Sequence, residues 1–219
     1  MPIKRWVFSI AAAVVATAIC SVSQASATTS GQALPHTKLV VVRPVHENGT
    51  PVHGYQVVHE THGSGFTCAF HSPVSVSSGV AWCGASADAT IACWKSQQHT
   101  VLCLRDPRVR KLVRIRYSGT YSAGHRVKHP LPEALDLRRV GDCSVRIGGA
   151  WGPVAKRPNW VGYYSCSHGA SVYGPQRLNG GIDRSVNPWL VHVVRFNGHT
   201  NVLARPDRVA VAYFVGTAK

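Results

Sequence analysis

The sequence is poor in acidic residues and almost free of methionine. It holds 9 Asp and Glu against 24 Lys and Arg, and its one Met is the first residue. The acidic residues are scattered along the chain, so no close pair of carboxylates is present of the kind that glycosidases use. This composition argues against a glycoside hydrolase.

Other catalytic signatures are also missing. Ser64, within Gly63-Ser64-Gly65, lacks the G-x-S-x-G elbow and the strand–turn–helix setting of α/β-hydrolases. A Ser, a His and an Asp can be collected from any chain of this size, so their presence alone carries no weight. We therefore predict no catalytic residue and no cofactor. The alternative is a small secreted hydrolase with an unrecognised Ser/His/Asp site.

Metal-binding motifs are absent from the sequence, since there is neither a C-x-x-C pair nor an H-E-x-x-H motif. Histidines are nevertheless frequent in the N-terminal quarter. On a strand, His59 and His62 would face opposite sides, which disfavours a shared ligand site. We predict no metal site, and we interpret the group as surface histidines: His46, His53, His59, His62 and His71.

Long apolar runs are missing except at the N-terminus. Val7–Cys20 follows the positive pair Lys4-Arg5 and is too short for a permanent membrane-spanning helix. Ala25-Ser26-Ala27 has the small-x-small pattern of a signal-peptidase site. We predict that residues 1–27 are a cleavable signal peptide cut after Ala27, with a cut after Ala25 as the alternative. Ile19 argues against lipidation of Cys20.

Cleavage would leave 219 − 27 = 192 residues with a net charge of 22 − 9 = +13, counting histidines as neutral. Such a charge favours anionic partners, among them envelope polymers, anionic lipids and sulfated glycans. Specific nucleic-acid binding is not expected, because aromatic residues are not interleaved with the basic ones and no zinc finger or basic helix is recognisable. No transmembrane segment is expected after cleavage, and the oligomeric state is left open.

Six cysteines remain after cleavage: Cys68, Cys83, Cys93, Cys103, Cys143 and Cys166. An even number of cysteines in an exported chain predicts three disulfides, with zinc as the disfavoured rival.

Helix signals are nearly absent, and short β-branched runs alternate with turns. This pattern predicts an all-β sandwich or barrel. The Asn48-Gly49 pair predicts a tight hairpin turn, and Pro130–Arg139 could hold one helical turn. We predict that residues 28–37 form a mobile leader before a single β-rich domain over residues 38–219. The predicted strands are Lys38–Arg43, Tyr55–Val58, Val80–Cys83, Thr90–Trp94, Val101–Leu104, Leu112–Tyr117, Ser144–Ile147, Val161–Cys166, Leu190–Phe196 and Val209–Val215.

A weak internal duplication relates residues 66–125 to residues 141–200, with Cys, Trp, Asp and Arg landmarks in the same order. Each half resembles one strand meander, although coincidence among common turn residues is the alternative. If duplicated cysteines pair together, the bridges are Cys68–Cys93, Cys143–Cys166 and Cys83–Cys103. Nearest-neighbour pairing gives instead Cys68–Cys83 and Cys93–Cys103, and it also keeps Cys143–Cys166.

The densest charge cluster follows the fifth predicted strand and is opposed locally only by Asp106. Alternation along Leu112–Tyr117 places Arg114 and Arg116 on one face, about 7 Å apart. Such a ladder suits phosphates, sulfates or carboxylates, which Arg can bind bidentately. The alternative is a solvated edge strand that is kept soluble by charge. The predicted polyanion site, which we call the basic segment, is Arg105, Arg108, Arg110, Lys111, Arg114 and Arg116.

Trp82 and Trp151 occupy matching positions in the two halves. We interpret them as core residues packed over disulfides, because a carbohydrate platform would need them exposed together.

The Ala/Val-rich N-terminus and the run Ser77–Ala87 (SSGVAWCGASA) resemble uncharacterised exported proteins of mycobacteria and related actinobacteria. The resemblance covers about the middle third of the chain. It implies a secreted or cell-wall-associated location and carries no activity. The expected function is that of a non-enzymatic basic β-protein that binds an anionic envelope or host polymer.

Overall fold

The computed structural model describes residues 36–60, 66–84, 89–122, 124–149 and 151–219. The predicted signal peptide and most of the predicted leader lie outside these residues. The last leader residue, Thr37, is held in place: its hydroxyl donates to the Val209 carbonyl at 2.8 Å and accepts from the Trp189 N–H at 2.8 Å. Thr37, which was predicted to belong to the mobile leader, is therefore fixed to the β-rich domain.

Strands dominate the described residues, which confirms the all-β prediction. Only two 3₁₀ turns are present among them, at Ser167–Gly169 and Asn179–Gly181, and no helix there is long and apolar enough to cross a membrane. The strands are β1 Lys38–Val42, β2 Gln56–Glu60, β3 Phe70–His71, β4 Val80–Cys83, β5 Thr90–Lys95, β6 Thr100–Leu104, β7 Lys111–Arg116, β8 Ala134–Leu137, β9 Gly141–Val145, β10 Trp160–Cys166, β11 Ala170–Pro175, β12 Ile182–Asp183, β13 Leu190–Phe196, β14 Asn201–Leu203 and β15 Asp207–Val215.

The strands form two sheets. The six-stranded sheet has the order β2-β7-β6-β5-β4-β3, and the nine-stranded sheet has the order β1-β15-β8-β9-β10-β11-β13-β12, with β14 paired to β13. Each sheet is largely antiparallel, but β2 pairs with β7 and β1 pairs with β15 in parallel. Strand β7 therefore lies inside its sheet, between β2 and β6, and the alternative interpretation of the basic segment as an edge strand is wrong.

The two sheets share a hydrophobic core. Leu102, Leu104 and Leu112 of the six-stranded sheet are fully buried and belong to the same apolar cluster as Val215 of β15. We call this cluster the inter-sheet core. A second face of the six-stranded sheet is covered by its own cluster, which includes the cysteines of β4, β5 and β6. The central strands β4, β5 and β6 are thus buried on both faces.

Two local predictions need correction. Pro130–Arg139 contains strand β8 rather than a helical turn, because Ala134, Leu135 and Leu137 are buried and β8 pairs with both β9 and β15. The Asn48-Gly49 turn exists, with the Gly49 N–H donating to the His46 carbonyl at 2.9 Å. Only Gly49 has a positive φ, of 80°, so the turn is not of the type that needs positive φ at both positions.

The three disulfides are Cys68–Cys83, Cys93–Cys103 and Cys143–Cys166. The predicted number and the Cys143–Cys166 bridge are confirmed, whereas the duplication-based pairs Cys68–Cys93 and Cys83–Cys103 are wrong. Strand register explains the result, since Cys93 lies directly opposite Cys103 in the β5–β6 hairpin and Cys143 opposite Cys166 in β9–β10. The Gly84 N–H donates to the Thr67 carbonyl at 2.8 Å, which brings Cys68 beside the end of β4.

Candidate anion-binding cleft

A cleft of about 890 Å³ lies at one end of the six-stranded sheet. Separate segments of the chain meet in it: the end of β1, the turn after it, the loop before β4, the end of β5, the segment after β7 and the residues after β15. The side chains that line it are Arg43, His46, Glu47, Ser77, Ser78, Trp94, Lys95, Tyr121, Arg126, Thr217 and Lys219, together with Gly79.

The cleft is strongly cationic. Arg43, Lys95, Arg126 and Lys219 are exposed, and within the described part of the chain none of them forms an ion pair. Glu47 has the one carboxylate side chain in the lining. Four positive side chains that face one cleft without intramolecular partners make a favourable site for a multivalent anion.

Tyr121 holds the wall of the cleft together. Its hydroxyl donates to the Gly79 carbonyl at 2.8 Å and lies 3.0 Å from the Cys93 carbonyl, while the Lys95 N–H donates to it at 3.1 Å. Burial, with the negative potential of neighbouring Tyr117, raises the pKa of Tyr121 to about 12, although the hydrogen bond from Lys95 opposes this. The phenol therefore stays protonated and acts as a structural donor that joins β5 to the loop before β4.

A chain of hydrogen bonds positions the hydroxyl groups on the other wall. The Trp94 indole N–H donates to the Thr217 hydroxyl at 3.0 Å, and the Thr217 N–H donates to the Ser77 hydroxyl at 3.1 Å. Both hydroxyls are thus oriented by the fold while they line the cleft. Fixed hydroxyls beside guanidinium and ammonium groups can bind phosphate, sulfate or carboxylate oxygens through charge-assisted hydrogen bonds.

Two members of the predicted basic segment are committed to ion pairs. Arg105 binds both carboxylate oxygens of Glu60, at 3.1 and 2.6 Å. Arg108, whose side chain is 15% exposed, contacts Asp106 and Asp136 at 3.1 and 2.8 Å. It also donates to the carbonyls of Leu135 and Cys143, at 2.9 and 3.0 Å. Arg108 therefore joins the loop after β6 to β8 and β9.

The other members are spread along β7. Arg110 and Lys111 are exposed at the start of the strand, and Arg116 is exposed at its end, about 17 Å from Lys111 at the usual rise per residue. Arg114 is half-buried beside Leu102, and its Nε has no hydrogen-bond partner among the described residues. Of the six residues, Arg105 and Arg108 are thus in ion pairs, Arg114 is half-buried, and Arg110, Lys111 and Arg116 are exposed.

The cleft residues were not predicted from the sequence. Arg43, Lys95, Arg126 and Lys219 are isolated in sequence, and each stands in a different segment. No local motif marks them, because their proximity depends on the way in which the two sheets meet. The sequence prediction relied instead on a run of adjacent charges, and it therefore placed the anion-binding site at the basic segment around β7.

The described histidines do not form a metal site with one another. His62 and Ser64 lie outside the described residues. Among the described residues, the one cluster of potential metal ligands is Cys83, Cys93 and Cys103, and all three are in disulfides. Within the same residues, no serine hydroxyl is hydrogen-bonded to a histidine ring. Asp183 instead accepts from the hydroxyl and N–H of Ser185, at 2.6 and 2.9 Å, which is a local turn.

The prediction for the two tryptophans is correct only in part: both pack against hydrophobic clusters, but neither belongs to a cluster that contains disulfide cysteines. Trp82 packs on Phe70, with ring centroids 5.4 Å apart, and against the inter-sheet core. Trp151 packs edge-on against Tyr173, also at 5.4 Å. Both are half-buried, and neither belongs to the cluster that contains the cysteines of β4–β6. Strand alternation explains Trp82, since it points to the face opposite its neighbour Cys83.

Comparison with known proteins identifies no relative: no protein-family model, curated protein or solved structure matches this chain.

Proposed function

We propose that this protein is an exported, non-enzymatic module that binds an anionic polymer of the cell envelope or of a host. The binding site is the cationic cleft, with Arg43, Lys95, Arg126 and Lys219 as the principal anion-binding residues. The observation that carries the proposal is that these four exposed cations line one cleft and form no ion pair within the described chain.

The size of the cleft leaves room for several anionic groups rather than one small anion. Its volume of about 890 Å³ lies toward the upper end of the usual range for small-molecule pockets, about 300–1,000 Å³. The oriented hydroxyls of Ser77 and Thr217 add hydrogen-bond donors between the charges. A chain of phosphates or sulfates fits this arrangement, because each repeating anion can meet a separate cation.

Export agrees with the same proposal. Three disulfides are typical of oxidising compartments. The predicted signal peptide and the resemblance of Ser77–Ala87 to exported actinobacterial proteins favour the cell envelope or the culture fluid as the location.

The test measures binding of heparin and of polyphosphate to the refolded protein across a series of salt concentrations. Affinity should fall steeply as the salt concentration rises, because a polyanion releases counterions when it binds. For duplex DNA, log affinity falls with log salt concentration with a slope of about 0.9 for each neutralised charge, and we use this value as a guide. The double variant Lys95→Gln/Arg126→Gln should weaken binding. It should also reduce the slope of log affinity against log salt concentration by about 2, which is about 1 for each cation removed.

Two matched double variants make the result specific. Arg114→Gln/Arg116→Gln removes two charges from β7, and Lys156→Gln/Arg157→Gln removes two exposed charges from the loop before β10. Both should retain nearly all of the binding. Equal loss in all three variants would show a diffuse cation without a site, and selective loss in the Arg114/Arg116 variant would restore the basic segment as the binding surface.

A further inference from the structure

A second concave site lies where the inter-sheet core opens to solvent. It is a groove of about 400 Å³, lined by Trp82 of β4 and by residues of β9, β10 and the segment after β9. Leu131, Val145 and Ile147 line the groove and also pack against the inter-sheet core. The floor of the groove is therefore an exposed flank of that core.

Trp151 forms one wall, and three neighbours fix its ring. The Arg146 guanidinium lies 4.8 Å from the ring centroid, and Tyr173 meets the ring edge-on. Gly162 of β10 lies against the indole so closely that a β-carbon there would overlap the ring. Glycine at this position is what lets the indole lie against the strand and form a wall of the groove.

The groove has unused donors and no acid. The Trp82 indole nitrogen is buried and has no hydrogen-bond partner among the described residues. The Arg146 side chain forms no ion pair or hydrogen bond within the described chain, and no Asp or Glu is among the lining residues.

We infer that this groove binds a single-chain amphipathic anion of the fatty-acid type. The alkyl chain lies on Leu131, Val145 and Ile147 between the two indoles, and the carboxylate meets Arg146. This ligand matches the apolar floor, the single cation at the wall and the volume, which lies within the usual range of about 300–1,000 Å³ for small-molecule pockets.

A sugar ring is a poorer fit than an alkyl chain. Aromatic walls can stack on sugars, but the hydroxyls of a sugar each need a hydrogen-bond partner. The lining provides few polar side chains, namely those of His71, Arg146 and Tyr163 and the indole N–H groups. A sugar in this groove would leave most of its hydroxyls against aliphatic carbon.

Isothermal titration of the folded protein with octanoate, decanoate and dodecanoate, each as free monomer, tests the inference. Affinity should rise by about fourfold for each added methylene until the groove is full. Arg146→Gln should lower carboxylate affinity by about tenfold or more, as expected for a charge-assisted hydrogen bond. The same variant should leave binding of the matching 1-alkanol unchanged.

Arg157 provides the matched control, since its guanidinium also stacks on an indole, 5.5 Å from the centroid of Trp160, but outside the groove. Arg157→Gln should change neither ligand's affinity. A bromine-labelled alkanoate should quench part of the tryptophan fluorescence, and the double variant Trp82→Phe/Trp151→Phe should lose that quenching while Trp94, Trp160 and Trp189 remain.

Three results would overturn the inference: no saturable binding of any alkanoate, affinity independent of chain length, or equal losses in the Arg146 and Arg157 variants. Saturable binding of neutral oligosaccharides that Trp151→Phe abolishes would assign the groove to sugars instead. Heparin and alkanoates should not compete, because the cleft and the groove have separate linings. Failure at one site therefore leaves the other proposal standing.

Discussion

Glu133 provides the sharpest test of the electrostatics of this fold. It is 4% exposed and immediately precedes β8. Its N–H donates to the Tyr213 carbonyl at 2.7 Å, and its own carbonyl accepts from the Val145 N–H at 3.0 Å. The backbone is thus held on both sides. Its Oε2 has no hydrogen-bond partner among the described residues.

Burial, together with the negative charge of the neighbouring Asp106 and opposed by Arg108, raises the pKa of Glu133 from 4.5 to about 8. The folded protein therefore binds a proton that the unfolded chain releases. The stabilisation is fully present below the unfolded pKa of 4.5 and is lost as the pH rises through about 8. This difference between the folded and unfolded pKa values corresponds to a loss of roughly 5 kcal/mol in the free energy of unfolding between pH 4.5 and about 8. Roughly 3 kcal/mol of that loss has occurred by pH 7.

We expect Glu133→Gln, which keeps the shape and cannot ionise, to remove this pH dependence. Urea unfolding followed by circular dichroism, at about pH 5, 7 and 8.5, measures the free energy of unfolding of both proteins. Subtracting the two curves cancels the titration of histidines and other groups that both proteins share. The wild type should lose stability relative to the variant as the pH rises. Parallel curves would refute the reasoning and show that Glu133 is ionised and solvated in the folded state.

Three further outcomes are expected. Arg108→Met should lower the free energy of unfolding by about 2–3 kcal/mol, because it removes the charged hydrogen bonds to Asp136 and to the carbonyls of Leu135 and Cys143. The exposed Arg110→Met should change it by less than about 0.5 kcal/mol in the same urea titration, and similar losses would contradict the bridging role of Arg108. Removing the Cys143–Cys166 bridge by a double serine variant should cost about 2–5 kcal/mol, and non-reducing peptide maps of the wild type should recover the three bridges of the structure without free thiol. Protein from culture fluid should begin at Thr28 on N-terminal sequencing, and an intact first methionine in a membrane fraction would contradict the signal-peptide prediction.

The all-β class could be predicted from the sequence because the relevant signals are local. Strand runs such as Thr90–Trp94 and Val101–Leu104 consist of β-branched and apolar residues between turns, and the structure has β5 and β6 there. The number of disulfides followed from the even cysteine count. The Cys143–Cys166 bridge agreed with both pairing schemes.

Pairing among the other four cysteines depended on register. The internal repeat favoured Cys68–Cys93, but the short turn between β5 and β6 sets Cys93 opposite Cys103. Counting outward from this turn would have found the bridge, since antiparallel partners lie at equal distances from its centre. Strand β8 was not predicted, because Ala134–Leu137 is too short to give a clear local signal. It forms a strand because it pairs with β9 and β15.

By itself, the sequence determined the all-β class, the cationic character and the count of bridges. These depend on composition and on the alternation of neighbouring residues. The tertiary structure alone decided which charges are available: it pairs Arg105 and Arg108 with acids and brings Arg43, Lys95 and Arg126 into one cleft. It likewise placed Trp82 and Trp151 on one groove. The physical reason is that ion pairing and concavity depend on contacts between segments far apart in the chain, and no local periodicity encodes those contacts.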